Sequence, residues 1–281
     1  MSMKAATGGA EAAGVVVGAA AVATAVLWSF GMRPNILLPA AALLAVSCAA
    51  HGAETSWRDI ESRIQYGYYT EDAPALKSLV GLIAADESHD KLHGYYGALL
   101  NWRLAQLAAQ GLAGAGASPA ELAARCVRST DEALAVQSEF ADALALRSAC
   151  EATPLGRGAD FVPFAGRQLR KDLEHAQQLA PRDPRVLLVD AMNDYLLSPA
   201  TGGNRERALP KLRRAVGAFD AERAGLDHLP GWGAAEAYFY LARALLDHAD
   251  PVAARDALEH ALLLAPEFAP ARRLMTKIVS G

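Results

Sequence analysis

Apolar positions along most of this chain recur at i, i+3, i+4 and i+7, the spacing that gathers them on one face of a helix. The clearest case is residues 232–268, WGAAEAYFYLARALLDHADPVAARDALEHALLLAPEF. Tyr238, Leu241, Ala242 and Leu245 form one stripe. Ala254, Leu258 and Ala261 form the facing one, across a turn at Asp250-Pro251. Pro266 stops the second helix because it has no N–H to continue the ladder. The same period predicts helices over 57–69, 73–86, 90–107, 119–136, 140–153, 168–180, 185–197, 205–221 and 269–279. Ser118 followed by Glu121 predicts a capping box at the start of one of them. Many alanines and few aromatics suit stacked helices rather than sheets, so the expected fold is all-α.

The order of large and small residues adds to this. From Ala235, the residues Tyr238, Leu241, Ala242, Leu245, Ala254, Leu258, Ala261 and Pro266 follow in one window. That succession resembles the tetratricopeptide repeat (TPR), a helix pair of about 34 residues. Weaker echoes are Tyr96, Gly97 and Leu100 with Cys126 and Ala133, then Leu173, Ala176 and Pro181, and Leu188, Ala191, Tyr195, Ala208, Leu212 and Ala215. The intervals between matching alanines all exceed the ideal period, and Arg147 stands where Leu is expected. The resemblance therefore implies a solenoid of about four antiparallel helix pairs with irregular loops over 90–281. Residues 54–89 form a helical cap before it, and 269–279 a closing helix. It also implies a concave groove lined by the first helix of each pair. Carried over, the groove positions are Tyr95, Ala98 and Trp102, then Val189, Asp190 and Asn193, then Glu236, Phe239, Tyr240 and Arg243. Aromatic rings with interspersed charges suit a protein or peptide partner. Residues 202–212, GGNRERALPKL, resemble the helical lipoprotein components of TRAP-type solute transporters, which implies instead a small apolar ligand enclosed by the helices.

Residues 1–53 are of another kind. Between Lys4 and Glu54 the only charges are Glu11 and Arg33. Residues 36–50 follow Met32-Arg33-Pro34 as a signal peptide would, with a positive start, an apolar middle and small residues for cleavage. Met32 is then an alternative start. The run over 14–30 approaches membrane-spanning length. Ala45-Val46-Ser47-Cys48 resembles a lipoprotein cleavage box, with Cys48 as the candidate lipidation site, although its first position is Ala45 instead of Leu. Each reading implies an exported protein, periplasmic or held to the cell envelope.

Composition narrows the chemistry. The chain is 52% hydrophobic and 7% aromatic with a formal net charge of −4, so no bulk positive field draws it to nucleic acid. No GxSxG, P-loop or HExxH motif is present, and the expectation is a non-enzymatic protein without cofactor. His89 and His93 have the i, i+4 spacing of two metal ligands on one helix face, but a zinc site needs a third protein ligand that the sequence does not supply, and the pair reads as a solvated helix start. Arg207, Lys211 and Arg214 make a basic stripe, read as a solvated face or a contact for an anionic partner. Cys126 and Cys150 fall roughly level on two successive helices, a candidate disulfide in an oxidising compartment and two buried thiols otherwise.

Overall fold

The computed structural model describes residues 56–88, 90–112, 114–155, 165–222 and 228–280. The leader over 1–53, with Cys48, and His89 lie outside them. Among the described residues are eleven α-helices: α1 (Trp57–Tyr69), α2 (Ala73–Ala84), α3 (Lys91–Ala109), α4 (Pro119–Val136), α5 (Ala141–Ala152), α6 (Ala165–Leu179), α7 (Pro184–Leu196), α8 (Arg205–Glu222), α9 (Ala234–Asp247), α10 (Pro251–Leu264) and α11 (Ala269–Ser280). The fold is all-α. Local chemistry starts most of these helices. Ser56, Asp72, Asp90, Asp183 and Asp250 each accept a backbone N–H of the first turn. Ser118 and Glu121 close a reciprocal capping box. These contacts satisfy donors that the helix itself leaves unpaired.

Helices adjacent in sequence pack as hairpins, α3 on α4, α5 on α6, α7 on α8 and α9 on α10. The odd-numbered helices also pack in succession, α1 on α3, α3 on α5, α5 on α7 and α7 on α9. Small residues allow the close approaches. Ala133, Ala208, Ala215, Ala242, Ala254 and Ala261 are fully buried. The tightest approach is at Gly94 on α3, where a Cβ would lie 2.6 Å from the Ala133 nitrogen and 2.7 Å from the Ser129 carbonyl oxygen of α4. The sequence pattern pointed to Gly97, one turn further on, whose Cβ would meet nothing nearer than the Ser129 hydroxyl at 3.4 Å. Cys126 on α4 and Cys150 on α5 are joined, with Cα atoms 5.9 Å apart.

The first helix meets the ninth. Gln65 and Tyr69 of α1 donate to the Glu236 carboxylate of α9, at 3.1 and 2.6 Å. The Tyr69 ring lies 4.6 Å from that of Phe268, between α10 and α11. One continuous apolar core runs from Ile60 to Ala271. The row of odd-numbered helices therefore closes around a central space.

One end of that space is plugged by residues 228–233. The Gly231 N–H donates to Glu61 of α1 at 3.0 Å, and the Trp232 indole N–H donates to the Tyr95 hydroxyl at 2.7 Å. Arg185 of α7 donates to the Trp232 carbonyl at 3.4 Å and pairs with Asp142 and Glu222. The out-of-register Arg147 has a comparable structural use. It bridges Asp131 of α4 at 2.7 Å and Asp172 of α6 at 2.6 Å.

Candidate functional site

A cavity of about 620 Å³ occupies the central space beyond the plug. Every odd-numbered helix contributes to its wall. α1 supplies Tyr68; α3 supplies Trp102, Gln106 and Ala109; α5 supplies Ala149 and Ala152; α7 supplies Met192, Asn193 and Leu196. α9 supplies Phe239, Tyr240 and Arg243, and α11 supplies Pro270, Arg273, Leu274 and Lys277. Thr153, Gln110 and Arg205 complete the lining. The helical period explains these sets. Pro270, Arg273, Leu274 and Lys277 stand at i, i+3, i+4 and i+7, one face of α11.

The lining has two characters. Its body is aromatic and aliphatic, with Trp102, Phe239, Tyr240, Tyr68, Met192 and Leu196. Its charges among the described residues are all positive: Arg205, Arg243, Arg273 and Lys277, with no aspartate or glutamate among the described lining residues. Arg243 lies 4.9 Å from the Tyr195 ring centre and 5.4 Å from that of Tyr240. Arg205 lies 4.6 Å from the Tyr195 ring centre and pairs with Asp247 at 2.7 Å. Ring faces thus position the guanidinium groups and compensate them in part. Burial pushes the Tyr68 and Tyr240 phenols above their ordinary range, against the opposing pull of Arg243 and Arg103. Both stay protonated and able to donate.

Beneath the cavity lies a buried polar cluster. Arg103 and Glu236 form an ion pair with each side chain 1% exposed. Gln65 donates to Glu236 and accepts from Arg103 at 3.1 and 3.3 Å. The Arg103 guanidinium also lies 4.1 Å from the Tyr68 ring centre and 4.5 Å from that of Trp102. The cluster sets the positions of two cavity rings from below.

Five of the ten groove positions read from the sequence come together here: Trp102, Asn193, Phe239, Tyr240 and Arg243. Five do not. Tyr95 is fully buried against Phe140 and under the Trp232 indole, because the plug covers that end of α3. Glu236 points inward to Arg103, since closure of the array buries the start of α9. Asp190 faces α8 and pairs with Lys211 at 2.7 Å. Two of the three residues of the basic stripe are likewise matched, Arg207 to Asp194 and Lys211 to Asp190 and Asp194 of α7. Ala98 and Val189 are fully buried as well. His93 stands 3.4 Å from Asp86, edge-on to Trp57.

Reading along the chain missed Tyr68, Gln106, Arg205, Arg273 and Lys277. Arg273 and Lys277, four apart on the closing helix, were legible as a cationic pair. Nothing local showed that this helix turns back over α1.

No protein-family profile matches the chain, and no curated protein matches it in sequence. In structure it is similar to the HusA haemophore from Porphyromonas gingivalis, with a TM-score of 0.54 and 19% identity over 70% of this chain and 96% of that one. At that identity the likeness is one of fold.

Proposed function

We propose that this chain is a non-enzymatic binding protein for a small, flat, largely apolar ligand that carries anionic groups, held in the central cavity. The observation that carries the reading is the lining itself, which among the described residues has aromatic faces with four cations and no carboxylate. A net charge of −4 for the whole chain makes that local bias stand out. The volume is in the range of small-molecule sites, about 300–1,000 Å³. An open peptide groove would not need the plug or the contacts from α1 to α9. On this reading the TPR-like helix pairs form the frame of the cavity.

The class name of the structurally similar protein, haemophore, makes a porphyrin the first ligand to test. No histidine or cysteine stands among the described lining residues, and recognition on this reading rests on ring faces and charge pairing. Iron protoporphyrin and protoporphyrin IX serve equally as probes. Titration of either into the full chain should quench Trp102 fluorescence to saturation. Arg243→Glu should weaken binding by about tenfold or more, because it sets a carboxylate against the ligand's own. Absence of saturable quenching with both probes would remove the porphyrin reading.

Export belongs to the same proposal and rests on the leader pattern over 1–53. The intact mass of protein purified from the cell envelope should begin within 49–54, or at a lipidated Cys48. A mass beginning at residue 1 would sink the cleavage argument and leave an anchored protein. The same spectrum taken with and without reductant reports the Cys126–Cys150 bond.

A further inference from the structure

The α11 wall is the least embedded part of the cavity. Of the twelve residues of α11, only Ala271 is buried. The helix packs on α10, with Phe268 at its base held against Tyr69 and Phe239. A paired polar contact ties it to the turn that follows α1. Both terminal nitrogens of Arg273 donate to the Glu71 carboxylate, at 2.6 and 2.5 Å. Arg273 also lines the cavity. It therefore stands between an internal carboxylate and whatever the cavity holds.

Glu71 occupies an unusual place for its type. It follows the last turn of α1 with φ 60. Its N–H donates to the Tyr68 carbonyl, and the Asp72 N–H to the Gly67 carbonyl. This is the helix-ending arrangement in which glycine is the favoured residue, because a Cβ is disfavoured at positive φ. A glutamate there works against the local backbone preference. Its side chain supplies the compensating interaction, the paired hydrogen bonds to Arg273.

We propose that Glu71 is the cavity's internal counter-ion: through Arg273 it holds α11 over the cavity, and an anionic group of the bound ligand replaces it there. The inference rests on the ligand-binding reading above. It assigns the ligand an acid group at the α11 end, with its apolar body against Trp102, Phe239 and Tyr240. The carboxylates of a porphyrin are of the right chemistry, and the exchange of one carboxylate for another leaves the charge on Arg273 matched.

Three full-length proteins test this: wild type, Glu71→Gly and Arg273→Gln. Glycine suits the backbone at position 71, so that variant removes the carboxylate without straining the turn. Amide hydrogen exchange over 269–280 should quicken in both variants, while the amides of α1–α10 keep their wild-type rates. Protoporphyrin IX should bind Glu71→Gly about two- to fivefold more tightly than wild type, the range expected from releasing a partly exposed ion pair. Arg273→Gln should narrow the wild-type preference for the free acid over its dimethyl ester. Unchanged exchange over 269–280 in Glu71→Gly overturns the latch. Faster exchange with unchanged affinity for the free acid overturns the replacement. If neither porphyrin binds any of the three proteins, the ligand reading fails and the replacement with it, and the exchange rates alone then decide whether Glu71 holds α11.

Discussion

Glu236→Ala should lower the stability of the folded chain by about 3–5 kcal/mol, the usual effect of removing one partner from a buried ion pair. Arg103 would be left charged and unpaired at 1% exposure. Gln65 and Tyr69 would lose the carboxylate to which they donate. The loss is also topological. These contacts join α1 to α9 across a sequence separation of 171 for Gln65 and 167 for Tyr69, so they close the row of odd-numbered helices. Urea denaturation of the two proteins gives the difference directly. The pair Arg103→Met with Glu236→Leu should recover most of the loss, since apolar side chains of similar volume can replace a buried ion pair at little net cost. A loss under about 1 kcal/mol in the single variant would show that the aromatic contacts around Phe268 close the array without the ion pair.

Gly94→Ala should cost about 2–3 kcal/mol, as overpacking against backbone does. The added methyl would meet the Ala133 nitrogen at 2.6 Å and the Ser129 carbonyl oxygen at 2.7 Å. Both are backbone atoms of α4 and cannot turn aside. The helix propensity that alanine adds, about 0.5–1 kcal/mol, offsets only part of this. Gly97→Ala, three residues on in the same helix, is the control. Its nearest neighbour is a serine hydroxyl at 3.4 Å, so propensity should dominate and stability should hold or rise slightly. Thermal melts of the two variants should move in opposite directions. Equal shifts would mean that α3 and α4 separate at Gly94 more easily than their packing suggests.

Much of the secondary structure was legible because its causes are local. The period of apolar residues predicted helices over 119–136 and 57–69, and α4 and α1 have those bounds. Capping residues, early prolines and glycine-rich connections act within a few residues of where they stand. The small positions Ala242, Ala254 and Ala261 were legible for a related reason. Burying a helix face against its neighbour in a hairpin requires close approach at fixed spacing, and the neighbour is the next element in the chain.

The site was only half legible, and the reason lies in range. Trp102, Phe239, Tyr240 and Arg243 line the cavity from α3 and α9, and the resemblance to the tetratricopeptide repeat implied those groove positions. Tyr95 and Glu236 carried the same expectation, but partners far away in sequence, Trp232 and Arg103, take them out of the cavity. Arg207 and Lys211 of the stripe pair with Asp194 and Asp190 across the α7–α8 hairpin, which a reading of each helix by itself does not reveal.

The sequence by itself determined an all-helical chain, its helices and their small-residue contacts, an apolar leader, and an inner face rich in rings. Those properties depend on residues a turn or two apart. Only the tertiary structure decided that the first helix meets the ninth, that residues 228–233 plug one end of the space between them, and that α11 brings Arg273 and Lys277 over the other. Closing such long loops carries an entropic cost that local propensity cannot offset. It is met by contacts between distant segments: the Arg103–Glu236 pair, the rings around Phe268, and the ion pair of Glu71 with Arg273.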